Sequence, residues 1–177
     1  MSNTITLEFS TALKGSAKIR LLTRSQFSHC DVDVGYGLLG ASNTPDSIIL
    51  KGNPNGNGVC VRPYAYQKFG RRHQAVIKTP LAPYILEKGL SQLGKPFDQA
   101  ALYAIFAPWL RSRVWYDPSS WYCAELVLWA LDGEHGPNKQ RFFPYELAIE
   151  RNIVTPEDLV LITNPFMNVQ QFKVNLV

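Results

Sequence analysis

The sequence predicts an α+β fold, an antiparallel sheet with helices packed on one side of it, in a single domain spanning 1–177. Three observations carry that prediction. The first half runs in short stretches of apolar–polar alternation, broken by Gly, Asn and Pro. From Pro83 the apolar spacing becomes helical, and it stays so through Leu131. A strand or two then closes the chain, and strands grouped apart from helices favour α+β over α/β.

Ile5 to Phe9 and Ala17 to Leu22 read as strands or strand ends. In Ser25–Val34 the alternation puts Cys30, Val32 and Val34 on one face and His29, Asp31 and Asp33 on the other. Gly35-Tyr36-Gly37 is a turn and Leu38–Ser42 a returning strand, which together make a hairpin. Asn43–Gly58 is loop by composition, with a short strand at Ser47–Leu50; no GK[ST] follows, so it is not a phosphate loop. Val59–Arg62 and Gln74–Lys78 are further strands. Ile85, Leu86, Gly89, Leu90 and Leu93 place a helix over Pro83–Leu93, closed by Gly94. Asp98 caps a second helix with Leu102, Ile105, Phe106 and Trp109 on one face. Arg111–Ser120 links it to a third, in which Asp117-Pro118-Ser119-Ser120 supplies a turn and a serine N-cap ahead of Trp121–Leu131. Gly133–Arg141 is loop, Pro144–Ile149 a short helix, and Thr155-Pro156-Glu157-Asp158 a helix start leading into a strand at Leu159–Ile162. Phe172–Val174 adds an edge strand.

Composition narrows the function classes. A chain of 177 residues, 46% hydrophobic and 12% aromatic, buries a substantial core, and no run approaches the roughly 18 apolar residues of a membrane span. The formal charge of +4 is scattered apart from Arg71-Arg72-His73 and Arg111/Arg113, so no nucleic-acid partner is expected. Cys30, Cys60 and Cys123 form neither a disulfide framework nor a CxxC-type metal site, and no metal or cofactor is expected. The start, Met1–Phe9, lacks a basic n-region and an apolar h-region, so synthesis in the cytoplasm without a signal peptide is the expectation.

The chemistry concentrates at Cys123, in the first turn of an apolar helix. Partial positive charge and unpaired N–H groups at such a helix start stabilise a thiolate and bind an oxyanion. A thiol hydrolase also needs a base, and His29 on its strand is the candidate. The structural alternatives are an ordinary buried thiol at Cys123 and a solvent-facing His29 on a half-exposed strand. Cys30, on the strand face opposite His29, and Cys60 read as core thiols; His73 reads as exposed or anion-facing, and His135 has no evident partner.

These residues also resemble a family. Ser28-His29-Cys30-Asp31-Val32-Asp33-Val34, the Leu38-Leu39-Gly40-Ala41 return, Gly58-Val59 to Arg62-Pro63, Leu93-Gly94-Lys95-Pro96-Phe97-Asp98 and Trp121–Val127 occur in the order seen in permuted NlpC/P60-type proteins. These are papain-like thiol hydrolases in which histidine precedes cysteine, and the likeness is greatest to small phage- and prophage-encoded members. It covers about 17–162. It implies a circularly permuted papain-like sheet presenting His29 to the Cys123 helix, and hydrolysis of an amide bond, cell-wall (peptidoglycan) peptide first, through an acyl-enzyme on Cys123. Many relatives carry a polar third residue about a dozen positions after the histidine. Here that position falls on Gly40 or Ala41, and the candidate substitutes are Ser42, on the strand face of Gly40, a backbone carbonyl or a water. Phe97 stands where many relatives have tyrosine, which leaves the Cys123 amide, Tyr116 and Trp121 as oxyanion or substrate-binding donors. Two other readings follow from the same likeness: a structural or binding protein of a phage particle, partnered by other phage structural proteins, and a lipid acyl hydrolase or transferase. Release at lysis or incorporation into a particle would bring the protein to a cell wall.

Overall fold

The computed structural model of the chain describes residues 3–12, 16–43, 48–54, 56–66, 69–106, 117–144 and 154–166. It is a mixed α+β structure built on a six-stranded antiparallel sheet. In chain order the sheet strands are β1 (Thr4–Ala12), β2 (His29–Asp33), β3 (Leu38–Ser42), β4 (Lys51–Gly52), β5 (Gly58–Arg62) and β6 (Phe69–Lys78). Their spatial order is β4-β5-β3-β2-β1-β6, which puts β2 and β3 at the centre. The helices are α1 (Ser16–Thr23), α2 (Ala82–Leu90), α3 (Gln99–Phe106), α4 (Cys123–Leu131) and α5 (Pro156–Thr163).

Alternation along the strands separates two faces. Ile5, Leu7 and Phe9 of β1, Cys30 and Val32 of β2, and Ala75 and Ile77 of β6 lie in one apolar core with α2 and α4. The opposite face is polar yet largely closed: Glu8, Ser10, Asp31 and Arg62 are all buried. The β2–β3 turn is tied by Val34 N–H donating to Gly37 O (3.0 Å) and Gly35 N–H donating to Asp33 Oδ1 (2.7 Å).

The Gly94–Asp98 stretch sets where α4 begins. Gly94 N–H donates to Val59 O (2.9 Å) and Val59 N–H to Lys95 O (2.8 Å), stitching it to β5. Trp121 N–H donates to Pro96 O (3.1 Å) and Asp98 N–H to Trp121 O (3.0 Å), so the residue two before Cys123 is fixed to the same stretch. Gly58 is required there: its φ is +98°, and a Cβ would run into Lys95 O. Asp98 Oδ1 accepts from Ala101 N–H (2.8 Å) and caps α3, as its sequence position suggests.

Several elements differ from expectation. Ala17–Leu22 lies in α1, not a strand; its residues are mostly strong helix formers, and Ser16 Oγ donates back to Ala12 O. Of the short strand expected at Ser47–Leu50, Ser47 lies outside the described residues and Ile48–Leu50 is not strand; the strand comes later, at β4, although Leu50 N–H does reach Val61 O (2.8 Å). β6 extends back from Gln74 to Phe69, carrying Arg71-Arg72-His73 into the sheet. The first middle helix stops at Leu90, short of Leu93, with Gly94 (φ +85°) ending the turn that follows. Within the expected loop Gly133–Arg141, Glu134–His135 (β7) pairs with Gln140–Arg141 (β8). Leu159–Ile162 is helical, because Thr155 and Asp158 form a reciprocal capping box that commits the segment to α5. The N-cap of α4 is Tyr122 without a side-chain cap; Asp117 instead binds Ser119 N–H and Oγ in a turn of its own. Trp109, Arg111–Tyr116, Tyr145–Ile149 and Phe172–Val174 lie outside the described residues. Among those described, no helix is long and apolar enough to cross a membrane.

Candidate active site

His29 opens β2, and its Nε2 lies 2.8 Å from Oδ1 of Asp31, two residues along the same strand. Alternation puts both side chains on the polar face, where Asp31 is only 1% exposed. The carboxylate fits because of its neighbour across β3. A Cβ built on Gly40 would fall within the van der Waals envelope of Asp31 Oδ1. Glycine at 40 therefore makes the space in which the histidine's carboxylate partner sits. On the far side, Tyr66 Oη donates to Asp31 Oδ2 (3.1 Å).

Cys123 is the first residue of α4 and is 9% exposed at the edge of the core. Its thiol lies close enough to the Cys30 thiol, the His29 ring and the Cys30 main chain for each of them to stabilise its thiolate form. The Cys30 bond and the His29 charge hold it well below the usual thiol range, against the opposing effect of burial. The start of α4 adds a partial positive charge in the same sense. Cys30, wholly buried, is pushed up by burial first and by its bond to Cys123 second. For His29, burial disfavours the charged ring, but Asp31 and Cys123 outweigh it and raise the ring to about 10. Both shifts favour the thiolate–imidazolium form of the pair, with the Asp31 carboxylate held against the ring. With Nε2 given to Asp31, Nδ1 is the nitrogen left for the thiol.

The surroundings hold this row in place. Arg62, 0% exposed, donates to the carbonyls of Gly40 (3.0 Å), Gly56 (2.8 Å) and Gly58 (3.2 Å), which locks β3 to the end of the preceding loop. Its guanidinium also lies over the Tyr66 ring at 5.7 Å. On β1, Glu8 takes Arg72 at 3.1 Å and Gln74 as partners.

The other candidates sort as follows. Ser42, the expected orienting residue, ends β3 opposite Gly58; the carboxylate that holds His29 comes from Asp31 instead. Trp121 is 1% exposed and its indole N–H donates to Gln92 Oε1 (3.2 Å), so this expected oxyanion donor is turned into the core, against Trp129. Tyr116 lies outside the described residues. His73 is buried, not exposed, because β6 sets it opposite Phe9 and stacks it on Phe27 (5.8 Å). His135 is also buried, with Nε2 at 3.0 Å from Leu131 O. Cys60 is buried opposite Gly40 with its Sγ directed to Asn53 O. Among the described residues no group of His, Cys, Asp and Glu is arranged to hold a metal ion.

Asp31 is the site residue that sequence reasoning passed over, although alternation had already placed it on the face of His29. The orienting group expected on the hairpin return stands instead on the histidine's own strand. Tyr66 had no sequence signal, since only the fold of the loop after β5 brings it to Asp31. No family model matches this chain, and no curated protein sequence matches it.

Proposed function

We propose that this chain is a thiol hydrolase of the circularly permuted papain-like, NlpC/P60 type, cleaving an amide bond through an acyl-enzyme on Cys123. The observation that carries the reading is the row Cys123–His29–Asp31: ring and carboxylate are 2.8 Å apart, and the Cys123 thiol is near enough to the ring for the two to stabilise each other's charged forms. In the reaction the Cys123 thiolate attacks the amide carbonyl, and the first-turn N–H groups of α4 face the oxygen that gains charge. The His29 imidazolium then protonates the departing amine. Neutral His29 next takes a proton from water, which attacks the thioester and releases the acid. Asp31 keeps the ring oriented and compensates its charge in both halves of the cycle.

By itself Gly40 favours a non-catalytic phage-particle protein, since it leaves the neighbouring strand without an orienting side chain. That argument loses its force once Asp31 fills the space. Cell-wall stem peptide is the substrate class proposed first, on the family resemblance. The test is incubation with stem peptides of defined sequence, reading new amino termini and the mass of trapped enzyme. Cleavage with a Cys123-linked acyl adduct, lost in Cys123→Ala, is the expected result. Cleavage undiminished in Cys123→Ala would remove the reading.

A further inference from the structure

The loop after β5 lays two tyrosines across the polar face of β2, one on each aspartate. Tyr64 Oη donates to Asp33 Oδ1 (2.7 Å), and Tyr66 Oη donates to Asp31 Oδ2 (3.1 Å). The two bonds differ in consequence. Asp33 is at the far end of the strand, where it accepts from Gly35 N–H in the hairpin turn. Asp31 holds the ring of His29. Tyr66 is also held as a rigid body: its ring meets Phe69 edge-on at 5.4 Å, carries the Arg62 guanidinium at 5.7 Å, and faces the His29 ring at 6.5 Å.

We propose that Tyr66 is a positioning residue of the Cys123 site, acting through Asp31 to fix the His29 ring; the inference rests on the thiol-hydrolase reading. A carboxylate bonded by one oxygen only is free to turn about its terminal torsion, which is broad in aspartate. The bond from Tyr66 to Oδ2 removes that freedom, while Gly40 leaves Oδ1 its seat beside the ring. The Asp31 carboxylate then stands in one orientation, and His29 Nε2 in turn has one partner. Charges on the surrounding elements do not take over this task. Glu8 on β1 repels the carboxylate and is itself paired with Arg72. Arg62 on β5 is given to main-chain carbonyls, and Cys123 on α4, as a thiolate, repels the carboxylate and offers it no hydrogen. Only the phenol donates to the second oxygen among the described side chains.

The test needs no substrate. Rates of iodoacetamide alkylation at Cys123 are measured from pH 5 to 10 in the full chain, for wild type, Tyr66→Phe, Tyr64→Phe, Asp31→Ala and the Asp31→Ala/Tyr66→Phe double variant, with adducts located by peptide mass. Tyr66→Phe should slow labelling at pH 6 by about three- to ten-fold and move the thiolate titration upward. Tyr64→Phe, which removes the matching bond to Asp33, should stay within about two-fold of wild type. The double variant should match Asp31→Ala alone, because a residue that acts through Asp31 has nothing to hold once that side chain is gone. An unchanged Tyr66→Phe profile, or losses that add in the double variant, would overturn the proposal. Slow labelling of Cys123 in wild type at pH 6 would instead overturn the hydrolase reading, and this inference with it. NMR titration of the His29 ring in wild type and Tyr66→Phe reads the same coupling independently of Cys123 chemistry; a coincident titration would count against Tyr66.

Discussion

Gly40→Ala adds one methyl group, and the structure says where it goes. The new Cβ would occupy the space of Asp31 Oδ1, and the carboxylate must retreat by about 1.5 Å to regain van der Waals distance. It cannot do so and keep His29 Nε2, now 2.8 Å away, within hydrogen-bond reach. The loss is that of a charge-assisted bond, about 1.5–3 kcal/mol, or roughly 10- to 150-fold in a rate that depends on the imidazolium. Alanine is otherwise a mild change in a strand, so the fold should persist. Iodoacetamide labelling of Cys123 at pH 6, followed by mass spectrometry, reads the effect directly. The expected result is a drop of that size, with Asp31→Asn falling in the same range and Gly40→Ala adding little to it. A Gly40→Ala variant that labels at the wild-type rate would refute the reasoning, because it would show that the Gly40 space is not what seats the carboxylate.

Other variants probe the remaining links. At pH 6 Cys123 should label ahead of Cys30 and Cys60, and His29→Ala should slow it; preferential labelling of Cys30 would reverse the assignment of nucleophile. Stability should report the same pair. A histidine raised to about 10 stabilises the fold below its ordinary 6.5 and loses that contribution as pH rises to 10, while a lowered thiol stabilises above its ordinary 9.0 and loses its contribution as pH falls. Between 6.5 and 9.0 the two slopes oppose; Cys123→Ser removes the thiol's and leaves only the part of the histidine's that Asp31 supplies, so just above pH 6.5 it should fall behind wild type by up to about 1.4 kcal/mol per pH unit in urea melts. Parallel stability curves would exclude the ion pair. Arg62→Leu leaves three buried carbonyls without their donor and should cost about 3–5 kcal/mol, a fall of roughly 6–15 °C in Tm by circular dichroism. Thr155→Ala removes one half of the α5 capping box and should cost about 1 kcal/mol in the same assay.

Much of this architecture is legible in the residues, and the misreadings have physical causes. Alternation marks the two faces of β2, and the Gly35–Gly37 turn marks the hairpin. Periodicity fails where apolar runs are short. Leu159-Val160-Leu161-Ile162 suits a strand as well as a helix, and the capping box upstream decides it. Ala17–Leu22 fails the same way: alternation is visible, but helix propensity prevails at the exposed edge of the fold. His73 looked exposed beside two arginines because the length of β6 was not visible, and its stacking on Phe27 depends on a strand pairing remote in sequence. At α4 the helix itself was legible, but not its cap, since the turn-forming Asp117 holds Ser119 for itself.

The orienting group of the site illustrates why an absent side chain is not an absent function. A carboxylate at 31 and any side chain at 40 compete for one volume, so the two arrangements exclude each other. Glycine at 40 on β3 and a carboxylate from β2 are therefore two sides of one arrangement. The difference bears on robustness as well. An orienting group on β3 depends on the register between two strands, and a slip of one residue would turn it to the other face. A partner two positions along the same strand keeps its place beside His29 whatever the register, since the spacing is set by the extended backbone itself. What the register still controls is whether glycine stands opposite. That leaves Gly40 and the buried Arg62, which binds its carbonyl, as the point where the stability of the sheet and the geometry of the site meet.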